Sequence, residues 1–286
     1  MNLIDKLKTK EKAFSLEFSP PKKDMPLDTV YGAIEKLSVH NPEFVSITYG
    51  AGGSNRERTV EVASHVSELG LEAIAHLTCV GADPEQINAV IDSLEEKGIR
   101  NILALRGDIP QGMDKATAFV YYRHASDLII DIKKRSSVTV GAAAYPEAHY
   151  EADSLYDDIK YLKLKADLGV DFFVTQLCFD KNALLAFHEE AYKAGVTAPI
   201  ATGIMPILDP KQIIRMTLLS ACSIPASLSR LVSRYGEDPE SFKKAGMDYA
   251  VGEITGLMAG GIRKFHIYVM NKADETAQIL KMSGLI

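Results

Sequence analysis

Short apolar runs recur along the chain about every thirty residues, and each run ends in a group of polar or reactive side chains. Longer segments between the runs carry apolar residues at helical spacing. Short apolar runs that alternate with helices are typical of βα units in a parallel sheet. The eight runs cover residues 14–18, 44–49, 73–78, 102–108, 138–145, 172–176, 200–203 and 265–268.

Eight βα units predict an α/β fold, a (β/α)8 TIM barrel. This fold typically needs about 250 residues, and the chain has 286. Nothing in the composition marks a boundary, so we expect one catalytic domain over residues 1–286. The alternative is a doubly wound open sheet, which requires a nucleotide fingerprint after an early strand. The glycine-rich loop at residues 50–54 matches neither that fingerprint nor a Walker loop.

Helix boundaries carry clear signals. Asp83, Pro84 and Gln86 combine an N-cap, a helix-starting proline and a capping-box partner. Asp209 before a proline predicts another helix start. The segment at residues 204–264 is long and predicts three helices. It either covers part of the barrel mouth or fills space on the outer ring.

The carboxyl ends of the strands hold the catalytic residues in this fold. Glu17 ends the first strand among apolar neighbours, and burial disfavours the charged form of a carboxyl group. We therefore expect Glu17 to keep its proton near neutral pH and to act as a general acid. A core ion pair is the alternative. The polar side chains expected around the mouth are Glu17, Thr48, His76, Asp108, Tyr145, Gln176 and Tyr268.

Asp108 ends the fourth strand as part of an Arg-Gly-Asp tripeptide. We expect a tight turn that directs the Asp108 carboxylate and the Arg106 guanidinium at a polar heterocycle. Gly107 would let the backbone approach that ligand closely. No lysine lies inside a strand near its carboxyl end, which argues against a Schiff-base aldolase.

Other reactive side chains give weaker signals. Three histidines lie at or beyond strand ends without a metal-binding spacing, so no metal is predicted; they are His76, His149 and His266. Three lysines on the helix after the fifth strand either reach a phosphate or lie on a solvated face; they are Lys160, Lys163 and Lys165.

Composition limits the partners. The net charge of −6 gives no electrostatic case for binding nucleic acid or an anionic membrane. The sequence has no signal-peptide pattern and no apolar stretch near the ~20 residues that span a bilayer. The three cysteines form no C-x-x-C pair, which predicts neither a zinc site nor a disulfide framework. We expect a cytoplasmic protein.

Six short motifs resemble those of methylenetetrahydrofolate reductases. They follow the family order and cover nearly the whole chain: FSLEFSPP (14–21), SITYGA (46–51), AHLTC (75–79), ALRGD (104–108), AYPEAH (144–149) and FHIY (265–268). Each motif alone is modest, but six in register are specific. The resemblance implies a flavin-dependent barrel of the bacterial single-domain type, without a regulatory domain. It also implies reduction of 5,10-methylenetetrahydrofolate to 5-methyltetrahydrofolate.

The same resemblance implies roles for individual residues. Glu17 matches the general acid that opens the folate ring, and Asp108 matches the carboxylate that meets the pterin and tunes the flavin. Both would contact the folate, together with Gln176 and Tyr268. The residues implied in FAD binding are Thr48, His76, Leu105, Arg106, Gly107, Asp108, His124, Ala125, Tyr145, His149, Asp158 and Lys165.

The chain departs from the family pattern on the helix after the fifth strand. An asparagine and an arginine of relatives are replaced by Tyr161 and Leu164. Arginine binds phosphate in a bidentate manner, so the contacts to the FAD diphosphate must differ here. FAD rather than FMN is an expectation from the family.

The family chemistry implies ping-pong turnover, in which NAD(P)H and folate use the same face of the flavin. NADH, NADPH or an electron-supplying partner subunit are open as donors. The product serves methionine biosynthesis or one-carbon catabolism. A homo-oligomer is compatible with the sequence. The competing functions are a reductase subunit fed electrons by a partner, and a folate-binding or methyltransferase barrel without redox activity.

Overall fold

A closed parallel barrel forms the centre of the protein. The computed structural model describes residues 2–50, 56–110, 112–135 and 137–286. Within them eight strands pair in chain order, and the last strand pairs with the first. The predicted (β/α)8 barrel is confirmed. The strands are β1 Ala13–Phe18, β2 Val45–Ile47, β3 Ala73–Thr78, β4 Asn101–Leu105, β5 Thr139–Ala144, β6 Phe172–Thr175, β7 Ile200–Ile204 and β8 Lys264–Tyr268.

Helices surround this barrel and connect its strands. In the described parts of the chain they are α1 Leu3–Thr9, α2 Asp28–Ser38, α3 Arg56–Glu68, α4 Pro84–Glu96, α5 Lys115–Ala118, α6 Ala125–Arg135, α7 Leu155–Asp167, α8 Lys181–Lys193, α9 Pro210–Ser220, α10 Ala226–Tyr235, α11 Pro239–Ala259 and α12 Ala273–Met282. None of the described helices is long and apolar enough to cross a membrane. The glycine-rich loop lies outside the described residues from position 51 to 54.

Local sequence explains where several helices start. The Asp83 carboxylate accepts a hydrogen bond from the backbone of Gln86, whose side chain accepts one from the Asp83 backbone. This capping box satisfies backbone N–H groups that the first turn of α4 leaves unpaired. Asp209 caps α9 in the same way through the backbone of Lys211. Both predicted helix starts are confirmed.

An apolar plug fills the amino end of the barrel. Phe44, Phe172 and Leu103 pack there with Leu3 and Leu7 of α1. These side chains are buried, and their contacts remove a large apolar area from water. The plug leaves the carboxyl end as the place where polar side chains meet.

The long segment after β7 reaches the mouth of the barrel. The backbone N–H and the hydroxyl of Ser223, between α9 and α10, donate hydrogen bonds to the Glu147 carboxylate after β5. Phe179, after β6, packs in one apolar cluster with Ile207 and Leu228. Of the two expected positions, the segment therefore takes the one over part of the mouth.

Candidate active site

Glu17 lies at the centre of a polar cluster inside the barrel. Its Oε2 is 3.3 Å from His266 Nε2 and 3.4 Å from His76 Nε2, and it accepts a hydrogen bond of 3.5 Å from Ser46 Oγ. On the other side of the His266 ring, Nδ1 is 2.7 Å from Ser15 Oγ. We refer to these five residues as the carboxylate–histidine cluster.

Strand geometry places the members of this cluster. Ser15 and Glu17 are two residues apart on β1, so their side chains point to the same face. The ladder pairs Ser15 with His266, and Glu17 with Ser46. The His266 ring is fully buried and stacks on Phe44 of the apolar plug, with 5.5 Å between ring centroids. Strand pairing therefore holds the cluster on both sides, and the apolar plug supports the His266 ring from the amino end of the barrel.

The hydrogen-bond pattern holds one proton between Glu17 and His266. Ser15 Oγ is 3.2 Å from the Phe265 carbonyl oxygen, to which it donates. In that arrangement Nδ1–H of His266 donates to Ser15, and Nε2 shares a proton with the carboxyl group. If Ser15 donates to Nδ1 instead, Nε2–H donates to Glu17. The second arrangement places a proton at the Glu17–His266 contact, whereas in the first the Ser46 hydroxyl, 3.4 Å from Nε2, is a second donor within reach of that nitrogen.

The expectation that burial keeps the proton on Glu17 is wrong for this structure. Burial does raise the pKa of the Glu17 carboxyl, but the hydrogen bond with His266, the nearby His76 and the Ser46 hydroxyl lower it further. The net pKa lies below the ordinary value. Because burial also lowers the pKa of His76, the hydrogen bond from His266 carries most of the effect. The carboxylate is the favoured form of Glu17.

Tyr268 stands beside the cluster on β8. Its hydroxyl donates a hydrogen bond of 2.6 Å to the Thr175 carbonyl oxygen. Burial raises the pKa of this hydroxyl, and the charges of Glu17 and Tyr145 add to the effect. Gly203 makes room for the ring, because a Cβ there would lie 2.8 Å from Tyr268 Cε2. Tyr268 is thus buried between β6 and β8, where the charges of both Glu17 and Tyr145 act on its hydroxyl.

A concave pocket lies between the ends of β4 and β5 and the helices α6 and α7. Its cavity measures about 230 Å³. We refer to it as the β4–α7 pocket. The lining residues are Ala104, Leu105, Arg106, His124, Ala125, Ser126, Ala143, Tyr145, His149, Glu151, Ala152, Asp158, Tyr161, Leu164 and Lys165.

Most residues implied in cofactor binding meet in this pocket. Eight of the twelve line it: Leu105, Arg106, His124, Ala125, Tyr145, His149, Asp158 and Lys165. The remaining four lie elsewhere. His76 belongs to the carboxylate–histidine cluster, and the Thr48 hydroxyl donates to Ser19 Oγ over 3.0 Å. Gly107 and Asp108 follow β4 outside the lining, and Asp108 is exposed.

The Arg106 guanidinium has two partners within the protein, and its role with Asp108 toward a ligand stays a prediction. The guanidinium donates hydrogen bonds to the Glu151 carboxylate and, over 3.2 Å, to the Tyr150 hydroxyl. Gly107 has a φ of +84°, and a Cβ there would lie 2.8 Å from Thr78 Cβ. The glycine therefore permits a close approach to the protein's own β3 strand, and the expected approach of its backbone to a ligand stays a prediction.

The three lysines of α7 differ in environment. Lys160 and Lys163 form ion pairs on the exposed side with Asp157 and Asp167. Lys165 is different, because its Nζ donates a hydrogen bond of 2.6 Å to the Ala143 carbonyl oxygen inside the pocket. Burial lowers the pKa of Lys165 to about 8. Of the two predicted roles, the solvated face holds for the first two lysines.

Asp158 completes the wall near Lys165. Its carboxylate is buried and accepts a hydrogen bond of 2.9 Å from the His149 backbone. Burial raises the pKa of Asp158, and the His149 bond and the charge of Lys165 oppose that rise. Gln176 follows β6 next to the end of β5: its backbone N–H donates to the Ala144 carbonyl oxygen over 2.6 Å, and its side-chain oxygen accepts from the Leu177 backbone over 2.8 Å.

Several participating residues were not predicted. Ser15 and Ser46 hold the Glu17–His266 pair, and Glu151 binds Arg106. The period of two along β1 would have flagged Ser15, because it shares a face with Glu17. No local signal identifies Glu151 as the partner of a residue 45 positions earlier.

The sequence was compared with known proteins. Residues 2–284 match the family model described as methylenetetrahydrofolate reductase. The chain belongs to the methylenetetrahydrofolate reductase family. The predicted resemblance is confirmed, and with it the expectation of an oxidoreductase family. The six sequence motifs described above therefore belong to a family pattern that extends over nearly the whole chain.

Individual members of the methylenetetrahydrofolate reductase family align over most of the chain. The 5,10-methylenetetrahydrofolate reductase of Escherichia coli (strain K12) is 34% identical over 272 residues, which are 95% of this chain and 90% of that protein. Methylenetetrahydrofolate reductase (NADH) 1 of Arabidopsis thaliana is 35% identical over 306 aligned residues. The alignment includes all of this chain, which spans about half, 51%, of the plant relative.

A solved structure shares the fold. It is an uncharacterised protein from Clostridium thermocellum, described as binding two copies of 5-methyl-5,6,7,8-tetrahydrofolic acid. The TM-score is 0.71 at 16% sequence identity, and the match covers all of both chains. At this identity the similarity supports the barrel architecture alone.

Proposed function

We propose that this chain reduces 5,10-methylenetetrahydrofolate to 5-methyltetrahydrofolate, with FAD in the β4–α7 pocket and electrons from NAD(P)H in a ping-pong cycle. The observation that carries the proposal is the position of the Glu17–His266 pair. Glu17 lies near the carboxyl end of β1, and the β4–α7 pocket, at the same end of the barrel, is lined by eight of the twelve residues implied in cofactor binding. Membership of the reductase family supports the reaction class.

The residues of the β4–α7 pocket fit a flavin nucleotide. Ala104 and Ala143 give it an apolar lining where a flat ring system can approach, and Tyr145 adds an aromatic surface. His76 Nε2 is buried without a hydrogen-bond partner in the described parts of the chain, although it lies near Glu17. An unsatisfied ring nitrogen of this kind is suited to a ligand that brings a polar atom.

Bound FAD would supply the hydride transfer between the nicotinamide and the folate. The residues of this chain would supply binding, orientation and protons. Tyr145 and His149 would orient the flavin from the pocket wall, while Gln176 and Tyr268 would contact the folate near the mouth. Asp108 is exposed next to the pocket and is assigned to the pterin on the family pattern.

Proton delivery would come from the Glu17–His266 pair. Opening the five-membered ring of the substrate requires a proton on the leaving nitrogen. Glu17 would pass that proton on, and His266 would replace it through the 3.3 Å contact between Nε2 and Oε2. A lowered carboxyl pKa is compatible with this role when the neighbouring histidine returns the proton.

The electron donor and the cellular location of the protein are also part of the proposal. The Arabidopsis relative carries NADH in its name, which supports NADH as the first donor to test. A partner subunit that supplies electrons is the alternative, and a homo-oligomer is compatible with either. The sequence composition supports a cytoplasmic location.

The test is an anaerobic absorption experiment on the purified protein reconstituted with FAD. Addition of NADH should bleach the flavin bands, and 5,10-methylenetetrahydrofolate should restore them. NADPH is the matched alternative donor. Bands that ignore both nucleotides, yet bleach with dithionite and return with folate, would replace NAD(P)H by an electron-supplying partner.

Two other results would contradict the proposal. A protein that binds no flavin after incubation with FAD would be a folate-binding barrel or a methyltransferase. A flavin that bleaches with NADH but is not reoxidised by the folate would remove the folate from the reaction.

A further inference from the structure

The two cationic side chains of the β4–α7 pocket already have partners within the protein. The lining contains two cationic and two carboxylate side chains: Arg106, Lys165, Glu151 and Asp158. Arg106 donates to Glu151. Lys165 donates its hydrogen bond to the Ala143 carbonyl oxygen, with Asp158 as the nearby opposite charge. The Arg106 guanidinium is therefore paired within the protein, and the Lys165 ammonium is held by a backbone carbonyl rather than free to contact a phosphate group.

The outer wall of the pocket instead presents two large apolar side chains. Tyr161 is 57% exposed and Leu164 is 46% exposed, although both line the pocket. They are three residues apart on α7, so they lie side by side on one face of that helix. Exposed apolar surface at a concave site is commonly a binding surface, and aromatic rings bind other flat rings by stacking.

We propose that Tyr161 and Leu164 form an apolar shelf that binds the adenine ring of FAD, so that ring packing rather than phosphate charge selects this nucleotide. The inference rests on the proposed flavin site. It concerns the half of FAD that FMN and riboflavin lack. The shelf therefore accounts for a preference for FAD without a cation that clamps the diphosphate.

Energetic arguments favour ring packing over phosphate charge as the basis of FAD binding. Arg106 already binds the Glu151 carboxylate, so it would gain little from a phosphate group, because the new contact would weaken the existing one. Burying an aromatic ring against the shelf removes apolar area from water, and this gain does not depend on salt. The expected preference for FAD over FMN is about tenfold or more, which corresponds to roughly 1.4 kcal/mol.

The experiment measures binding rather than turnover. The protein is stripped of flavin and titrated with FAD, FMN and riboflavin, and the quenching of flavin fluorescence is followed. Wild type is compared with Tyr161→Ala, Tyr161→Phe and Leu164→Ala. Tyr156→Ala is the matched control, because Tyr156 is a 71% exposed tyrosine of the same helix outside the pocket lining.

We expect Tyr161→Ala to weaken FAD binding by about tenfold and FMN binding by less than about twofold. Leu164→Ala should weaken FAD binding by several-fold, while Tyr161→Phe and Tyr156→Ala should retain it. Raising the salt from about 0.05 to 0.5 M should change the FAD affinity of wild type by less than about threefold. Far-UV circular dichroism of each variant checks that it is folded.

Two results would overturn the inference alone: equal affinities of wild type for FAD and FMN, or normal FAD binding by both alanine variants of the shelf. A steep loss of FAD affinity with salt would also overturn it, in favour of a phosphate clamp. Absence of any flavin binding by wild type would contradict the proposed function itself.

Discussion

The carboxylate–histidine cluster and the β4–α7 pocket are built in opposite ways. Every member of the cluster lies on a strand, and the barrel ladder pairs those strands residue by residue. The pocket takes its wall from α7 and from the segments after β4 and β5. The strand-borne site has little freedom to move, whereas the other depends on side chains such as Arg106 and Glu151 that meet from distant segments.

The two constructions suit two different functions, proton transfer and cofactor binding. Proton transfer requires a fixed distance between donor and acceptor, and neighbouring strands provide it for Glu17 and His266. Binding of a large cofactor requires area and shape, which a helix face such as Tyr161 and Leu164 provides. We therefore expect substitutions in the cluster to change catalysis with little change in flavin affinity. Substitutions on the α7 wall should do the reverse.

The largest effect is expected from Glu17→Gln. The amide keeps the size of the side chain but cannot pass on a proton. Folate-dependent reoxidation of the reduced flavin should slow by about 10²–10⁴-fold, which is the usual contribution of a general acid. Reduction of the flavin by the nicotinamide should keep its rate. Stopped-flow absorbance of the two half-reactions separates these outcomes.

Glu253→Gln is the matched control for that experiment. Glu253 is another buried glutamate, but it lies on α11 in the outer ring, where burial raises its pKa to about 7. Both half-reactions should be unchanged in this variant. Normal folate reduction by Glu17→Gln would contradict the assigned role and remove the functional contrast between the cluster and the pocket.

Local signals predicted the strand-borne half of this comparison well. The strand over residues 73–78 has the bounds that the apolar run predicted, and the Asp83 cap starts α4 as expected. The position of Glu17 at the mouth followed from the repeat of βα units. These features depend on neighbours in the sequence or on the regular geometry of the fold.

Contacts between residues far apart in the sequence could not be predicted from those local signals. The pKa of Glu17 was predicted in the wrong direction, because its main partner, His266, lies 249 residues further along the chain. The hydrogen bond from Arg106 to Glu151 was not predicted either, because 45 residues separate the two side chains. Burial could be predicted from apolar neighbours, but the hydrogen bonds that offset burial could not. Most of the pocket lining followed from the family resemblance.

An intermediate effect is expected at the boundary between the two sites. In Gly203→Ala the new Cβ would lie 2.8 Å from the Thr175 carbonyl oxygen and 2.9 Å from the Tyr268 hydroxyl. Tyr268 must shift, which should cost about 1–3 kcal/mol of unfolding free energy. Its shift should also raise the KM for folate, because Tyr268 is assigned to folate contact. Urea unfolding and folate kinetics measure the two effects.

Gly252→Ala is the control for Gly203→Ala. Apart from its chain neighbours and the backbone of its own helix α11, no heavy atom of the described residues lies within 4 Å of the position of its Cβ. We expect a gain of about 0.4–1 kcal/mol from the reduced freedom of the unfolded chain, with unchanged folate kinetics. If Gly203→Ala also leaves stability and folate kinetics unchanged, the contact with β7 does not fix the position of the Tyr268 ring.

The smallest effect is expected from the charge of Lys165. Burial lowers its pKa to about 8, so its charge is present below that pH and is lost as pH rises through it. FAD is anionic, so its affinity should weaken from pH 7 to pH 9. A direct contact between Lys165 and the FAD phosphates that shifted the lysine pKa by one unit would change FAD affinity by about tenfold. Because Lys165 already donates to the Ala143 carbonyl oxygen, we expect FAD affinity to fall by less than about threefold.

Riboflavin is the control ligand for this titration, because it has no phosphate and should bind equally across that pH range. Lys165→Met keeps the length of the side chain and should remove the pH dependence for FAD. Fluorescence titrations at pH 7, 8 and 9 measure all three. A tenfold loss of FAD affinity in wild type alone would make Lys165 a phosphate ligand. The pocket would then depend on charge as much as the carboxylate–histidine cluster does, and the apolar shelf of α7 would be secondary.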